Sequence, residues 1–239
     1  MKGVLLVVWL MLACCSVMQG QCAAIRSNPL IERVPEFTAT DTTLVGVLLR
    51  LGQVARVPIG IEYVDRRALT EPVSVKLGVG TSLEQALNQI LSQESGYSWH
   101  AYSGVIVISN AKGHNFPTLL DQVLPTYDLP RATTLEQANA VLYMDIVLVQ
   151  DPSIRGFAGE YSPANTRPSI APIRLSNVTV RDVLNHLVRC DGSAAWIVHA
   201  PASKMAQLPK NGQLWLIVPY NESRKYDYVN DQLLPSFPN

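Results

Sequence analysis

Four histidines, His100, His114, His186 and His199, are the side chains of this 239-residue chain best suited to hold a metal or move a proton near neutral pH. No two of them are four residues apart, and no His-Glu-x-x-His surrounds any of them, so the arrangement by which one helix face grips zinc is missing. His186 is expected on the solvated side of a helix. The run Gly96-Tyr97-Ser98-Trp99-His100 begins like a nucleophile elbow. It fails as one, because His100 stands where the tight turn needs a second glycine and a strand follows in place of a helix. Of the acidic candidates Glu84, Glu94, Asp182 and Asp191, the first and third fall in first turns of predicted helices, where a negative charge suits the helix dipole. There is no phosphate loop and no dinucleotide fingerprint. The sequence therefore predicts no catalytic residue, no metal site and no cofactor, and a chain that is not an enzyme.

Recognition chemistry is better represented. The segment 153–168 carries Arg155, Phe157, Tyr161 and Arg167, and arginine with aromatic residues is the composition of interface hot spots. These four are the candidate partner-binding residues, although a purely solvated connection has the same composition. Trp99 and Trp196 are expected to pack on helices. Nineteen basic side chains balance nineteen acidic ones with no basic cluster, which excludes a nucleic-acid partner.

Cysteine usage points to export. Residues 1–24 have one positive charge, Lys2, an apolar run from Val4 to Ala13 and then small and polar residues. That is a secretory signal, since the run is well short of the ~20 residues a spanning helix needs. Met11-Leu12-Ala13-Cys14 resembles a lipobox with Met in place of Leu, making Cys14 the candidate lipidation site; ordinary cleavage between Gly20 and Ala24 is the alternative. Cys22 and Cys190 can pair in an oxidising compartment, but the expectation for Cys190 is a buried, small apolar residue.

The elements that must position these residues follow from hydrophobic spacing. One helix is written twice. Leu83, Ala86, Leu87, Ile90 and Leu91 recur as Val180, Val183, Leu184, Leu187 and Val188, each pair 97 residues apart (184 − 87 = 97). The same offset carries Ser82 onto Thr179, Asn88 onto Asn185 and Trp99 onto Trp196. Around the first copy the pattern is β-α-β, then β-α-β-β: a strand from Phe37, a helix from Leu44 that Pro58 ends, strands at 59–64 and 73–77, the repeated helix, and a hairpin turning at Ser103-Gly104. Around the second copy, 126–129 is extended, Thr134 and Gln137 form a capping box for a short helix, 143–149 reads as a strand, and 151–172 is a long loop. A strand at Ile173 and Leu175, the repeated helix and a hairpin from Trp196 complete it. The fold class is α+β, with two small modules at 37–110 and 126–220. A lead-in (25–36), a linker (111–125) and a polar tail (221–239) flank them.

The Phe-led strand, the Thr-Leu helix start, LLRLGQVARVPIGIEYV, PVSVKLGVGTSLEQALNQIL and the closing hairpin YSWHAYSGVIVIS resemble the secretin and TonB short N-terminal (STN) domain. Residues 37–110 carry the resemblance, and 126–220 look like a divergent copy through IRLSNVTVRDVLNHLV and Trp196. It implies helices packed on short sheets, a periplasmic or outer-membrane-associated location, and docking onto protein partners of secretin or TonB-dependent receptor systems. The chain lacks the strand series of a pore or receptor barrel, and its only expected link to the membrane is a lipid anchor. Two alternatives share the pattern: a module like those of anti-sigma regulators, and a periplasmic enzyme with its site under the 153–168 loop.

Overall fold

The computed structural model describes residues 30, 33–94, 96–111, 119–153, 169–199 and 215–221, with only the backbone of Trp215 and Leu216. The fold is α+β. In the first segment β1 (Phe37–Thr43) leads into α1 (Leu44–Ala55), whose N-terminus is capped where the Thr43 hydroxyl accepts from the Gly46 N–H. Arg56 in the left-handed region and Pro58 stop α1, and β2 (Ile59–Val64), α2 (Arg66–Thr70) and β3 (Pro72–Leu77) follow. The capping box of Ser82 and Gln85 starts α3 (Leu83–Leu91). Strands β4 (Tyr97–Tyr102) and β5 (Val105–Asn110) then form a hairpin whose two turn residues, Ser103 and Gly104, have φ of 51° and 79°.

The second segment contains β6 (Val123–Leu129), α4 (Leu135–Gln150), β7 (Ile173–Thr179), α5 (Val180–Asp191), β8 (Ala194–His199) and β9 (Trp215–Pro219). Its first strand begins three residues before the expected boundary at 126. The larger difference is α4. Residues 143–149, expected as a strand, are the second half of this 16-residue helix. Leu135, Ala138, Leu142 and Ile146 are buried at spacings of three and four, and that stripe outweighs the strand preference of the β-branched Ile146, Val147 and Val149.

The expectation of two modules omits how they join. One five-stranded sheet, in the order β4-β5-β2-β8-β9, takes strands from both segments, and β2 lies parallel to β5 on one side and β8 on the other. Two antiparallel ribbons, β1-β3 and β6-β7, complete the strands described. The two faces of the central sheet are divided between the segments. Ile59, Ile61, Ile106, Ile108, Ala195 and Ile197 pack with α1 and α3, whereas Val105, Val107, Ala194, Trp196 and Val198 pack with α4 and α5. Gly60 in β2 makes this join possible, because a Cβ there would sit 2.3 Å from the Trp196 ring.

Two sequence expectations are corrected on α5. Cys190 is half-buried and disulfide-bonded, so it is a cross-link and not simply a small apolar filler; Cys14, Cys15 and Cys22 all lie outside the described residues. His186 is half-buried, not on a solvated face, and an Arg189 guanidinium nitrogen lies 3.1 Å from its Nδ1.

Candidate docking edge

Six described strands have a neighbour on one side only: β1, β3, β4, β6, β7 and β9. Such edges invite pairing with another chain unless proline, charge or a backbone irregularity blunts them. Five carry at least one such device. β1 has Asp41 at φ 50° with a break in register beside it. β3 has Pro72 and Lys76, and β6 has Pro125 and Asp128. β7 combines Arg174 with Asn177 at φ 53°, and β9 ends in Pro219. The exception is β4. Its sequence YSWHAY has no proline and no formal charge, and it pairs with β5 through six consecutive residues with no shift.

One row of β4, Ser98, His100 and Tyr102, faces solvent, and the other is held at Tyr97 and Trp99. Ser98, His100, Ala101 and Tyr102 are exposed, while Tyr97 and Trp99 are half-buried against the first core. Trp99 Nε1 donates to Asn88 Oδ1 on α3 at 2.8 Å. The Tyr97 hydroxyl accepts from the Asp65 N–H at 3.1 Å, and burial pushes its pKa far above the ordinary phenol range. At the other end Tyr102 Oη donates to Asp182 Oδ1 at 3.0 Å, and Arg189 Nη1 donates to the Ser103 carbonyl at 3.1 Å. Both segments thus hold the hairpin. A strand anchored at both ends is a pre-organised template, for which partner binding carries little ordering cost.

Behind this edge lies an ionic joint absent from the sequence expectations. Glu62 of β2 is buried, and its carboxylate accepts from Ser109 Oγ at 2.9 Å and from Arg181 Nε at 2.6 Å. The same guanidinium donates to Asp121. Burial works against the Arg181 cation, and the hydrogen bonds to Glu62 and Asp121 outweigh it, so its pKa is raised. β2 of the first segment and Asp121 of the connection are in this way pinned to the N-terminus of α5. No periodicity rule links positions 62 and 181, so only the sheet order reveals the pair.

The remaining candidates are scattered. Arg155, Phe157, Tyr161, Arg167, Cys14 and His114 lie outside the described residues. His100 is exposed on β4, whereas His199 is buried at the end of β8, where burial lowers its pKa. Burial, and then the charge of Arg189, lower the His186 pKa to about 4. Asp182 caps α5 and receives Tyr102, while Asp191, at the other end of that helix, accepts from Ser193. Among the described residues no group of three or more His, Cys, Asp and Glu is arranged to hold a metal ion, and no helix is long and apolar enough to cross a membrane. Comparison with protein-family models, with curated proteins and with solved structures gives no match to this chain.

Proposed function

We propose that the protein is an exported docking or assembly component of the bacterial envelope, acting in the periplasm or at the periplasmic face of the outer membrane, and that it binds protein partners by strand addition at β4. The observation that supports this is the unguarded edge: among the outer strands described, β4 alone has neither charge, proline nor irregularity. The STN resemblance of 37–110 supplies the setting, a system built around a secretin or a TonB-dependent receptor, and the leader supplies the route. Residues 153–168, with Arg155, Phe157, Tyr161 and Arg167, are the second candidate contact.

Capture of envelope proteins by immobilised full chain tests the proposal. Ser98→Lys with His100→Lys places charge on exposed positions of the edge and is expected to abolish capture without altering the circular dichroism spectrum. Capture that survives this change but fails on removal of 154–168 would move the docking site to that segment. Turnover of an ester, peptide or glycan, lost on changing one polar residue, would replace docking with catalysis.

A further inference from the structure

We infer that a partner at β4 is a second copy of this chain, joined edge to edge by antiparallel pairing of the two β4 strands about a two-fold axis. The inference rests on the strand-addition proposal above and names the occupant of that edge.

Self-pairing of an edge strand has three requirements that β4 meets. A two-fold pairing brings each residue opposite a residue of its own strand, so a charged edge would oppose like charges; β4 carries none. The flanking surface must also tolerate its own image. On α3, which lies beside β4 through the Asn88–Trp99 hydrogen bond, the exposed residues are Glu84 in the first turn and then Gln85, Asn88 and Gln89, with Ser92 and Gln93 just beyond its end; all but Glu84 are uncharged hydrogen-bonding groups. The chain as a whole has nineteen basic and nineteen acidic side chains, which removes net repulsion between copies.

The third requirement is register. Residues directly opposite in an antiparallel pair share a face of the sheet, so the axis passes through Trp99 or through His100. The first centre sets Trp99 against its image and Ser98 opposite His100 of the second copy. The second sets His100 against its image and Ser98 opposite Tyr102 of the second copy. Both continue the five-stranded sheet into one of ten strands (twice the five described). Isologous closure of this kind ends with a dimer, since β4 is consumed in both copies.

Sedimentation of the purified full chain over a concentration series gives the test. The wild type is expected to associate to a dimer, and Ser98→Lys with His100→Lys to weaken that dimer by roughly tenfold or more, because the Trp99 register opposes lysines 98 and 100 and the His100 register opposes lysine to lysine. Thermal melting checks that each variant folds, and Ser98→Glu with His100→Glu, which opposes like charges in both registers, replaces the lysine pair if that pair does not. Ser98→Glu with His100→Glu is also expected to be monomeric, and an equimolar mixture of the lysine and glutamate forms is expected to recover the dimer. A wild type that stays monomeric at ~100 μM, above the micromolar range of weak specific complexes, overturns self-pairing. So does a lysine variant that dimerises as tightly as the wild type, or a mixture that stays monomeric. Capture of envelope proteins by a monomeric wild type would leave the docking proposal standing while removing this one.

Discussion

Trp99 and Trp196 make the same hydrogen bond in two different settings. Each donates Nε1 to an asparagine eleven residues earlier in the chain, Asn88 at 2.8 Å and Asn185 at 2.9 Å, and each of those asparagines sits on a helix started by a capping box. Trp99 is half-buried on an outer strand, while Trp196 is fully buried on an inner one. The repeated unit therefore fixes its own helix, cap and tryptophan contact, and the order of strands decides what that contact is worth. In the first segment the strand after the helix is the outer member of its hairpin. In the second it is the inner member, paired with β2.

The largest effect expected to separate the copies comes from the tryptophans. Trp196→Ala empties a closed site against Gly60 and should cost about 3–5 kcal/mol, whereas Trp99→Ala, at a partly exposed site on an outer strand, should cost about 1 kcal/mol. Urea titration of both variants measures the difference. Equal losses would mean that sheet position does not govern the contact.

Next is the joint between segments. Side-chain exposure is 24% for Arg181 and 4% for Glu62, so Arg181→Ala strands a buried carboxylate. A loss of about 3 kcal/mol is expected, the lower end of the range for breaking a buried pair because the arginine keeps some solvent. Replacing both, Arg181→Met with Glu62→Leu, should restore most of it. A single variant as stable as wild type would show that the segments are held by apolar packing alone.

The asparagines should separate the copies more weakly. Asn88→Ala leaves an indole N–H that water can reach, and a change near 0.5 kcal/mol is expected. Asn185→Ala leaves that donor buried, but it also removes Asn185 Nδ2, which is itself buried without a hydrogen-bond partner. The two effects oppose, so a net loss of about 1 kcal/mol is expected, read by the same titration. A stabilised Asn185→Ala would mean that the orphaned amide outweighs the bond it makes.

What the sequence revealed and what it hid divide along the range of the forces involved. The stripe of Leu83, Ala86, Leu87, Ile90 and Leu91, the capping residues and the turn at Ser103-Gly104 act within a few residues, and each is legible in the chain. The partner of β8 is not, because pairing 59–64 with 194–199 is a choice among distant strands of similar composition. The extension of α4 through 143–149 was hidden for the same reason, since the partners that bury Ile146 are distant in sequence. The candidate edge lay between these cases. The uncharged alternation YSWHAY was visible, but that β4 is an outer strand and β8 an inner one became visible only with the sheet order.

The last predicted contrast is in pH dependence. Asp145 on α4 has a pKa raised to about 6 by burial and then by the nearby Asp128. The folded state thus holds this proton more tightly than the unfolded chain, whose ordinary value is 3.8. Stability from this group is fully present below the unfolded value and is lost as pH rises through the folded one. His186 on α5 has the opposite slope, because its pKa is lowered to about 4 from 6.5, so its contribution is lost as pH falls across that interval. In the first copy α1 contains no carboxylate, and Gln89 stands at the position equivalent to His186, 97 residues earlier. Asp145→Asn removes one slope and leaves the other. Its melting temperature is therefore expected to exceed that of wild type at pH 7.5, where the carboxylate is charged, and to converge with it at pH 4. Amide exchange should place the gain on α4 and not on α1. A variant no more stable than wild type at pH 7.5, or a gain equal at both pH values, would show that the Asp145 carboxylate is not strained by its place in the second copy.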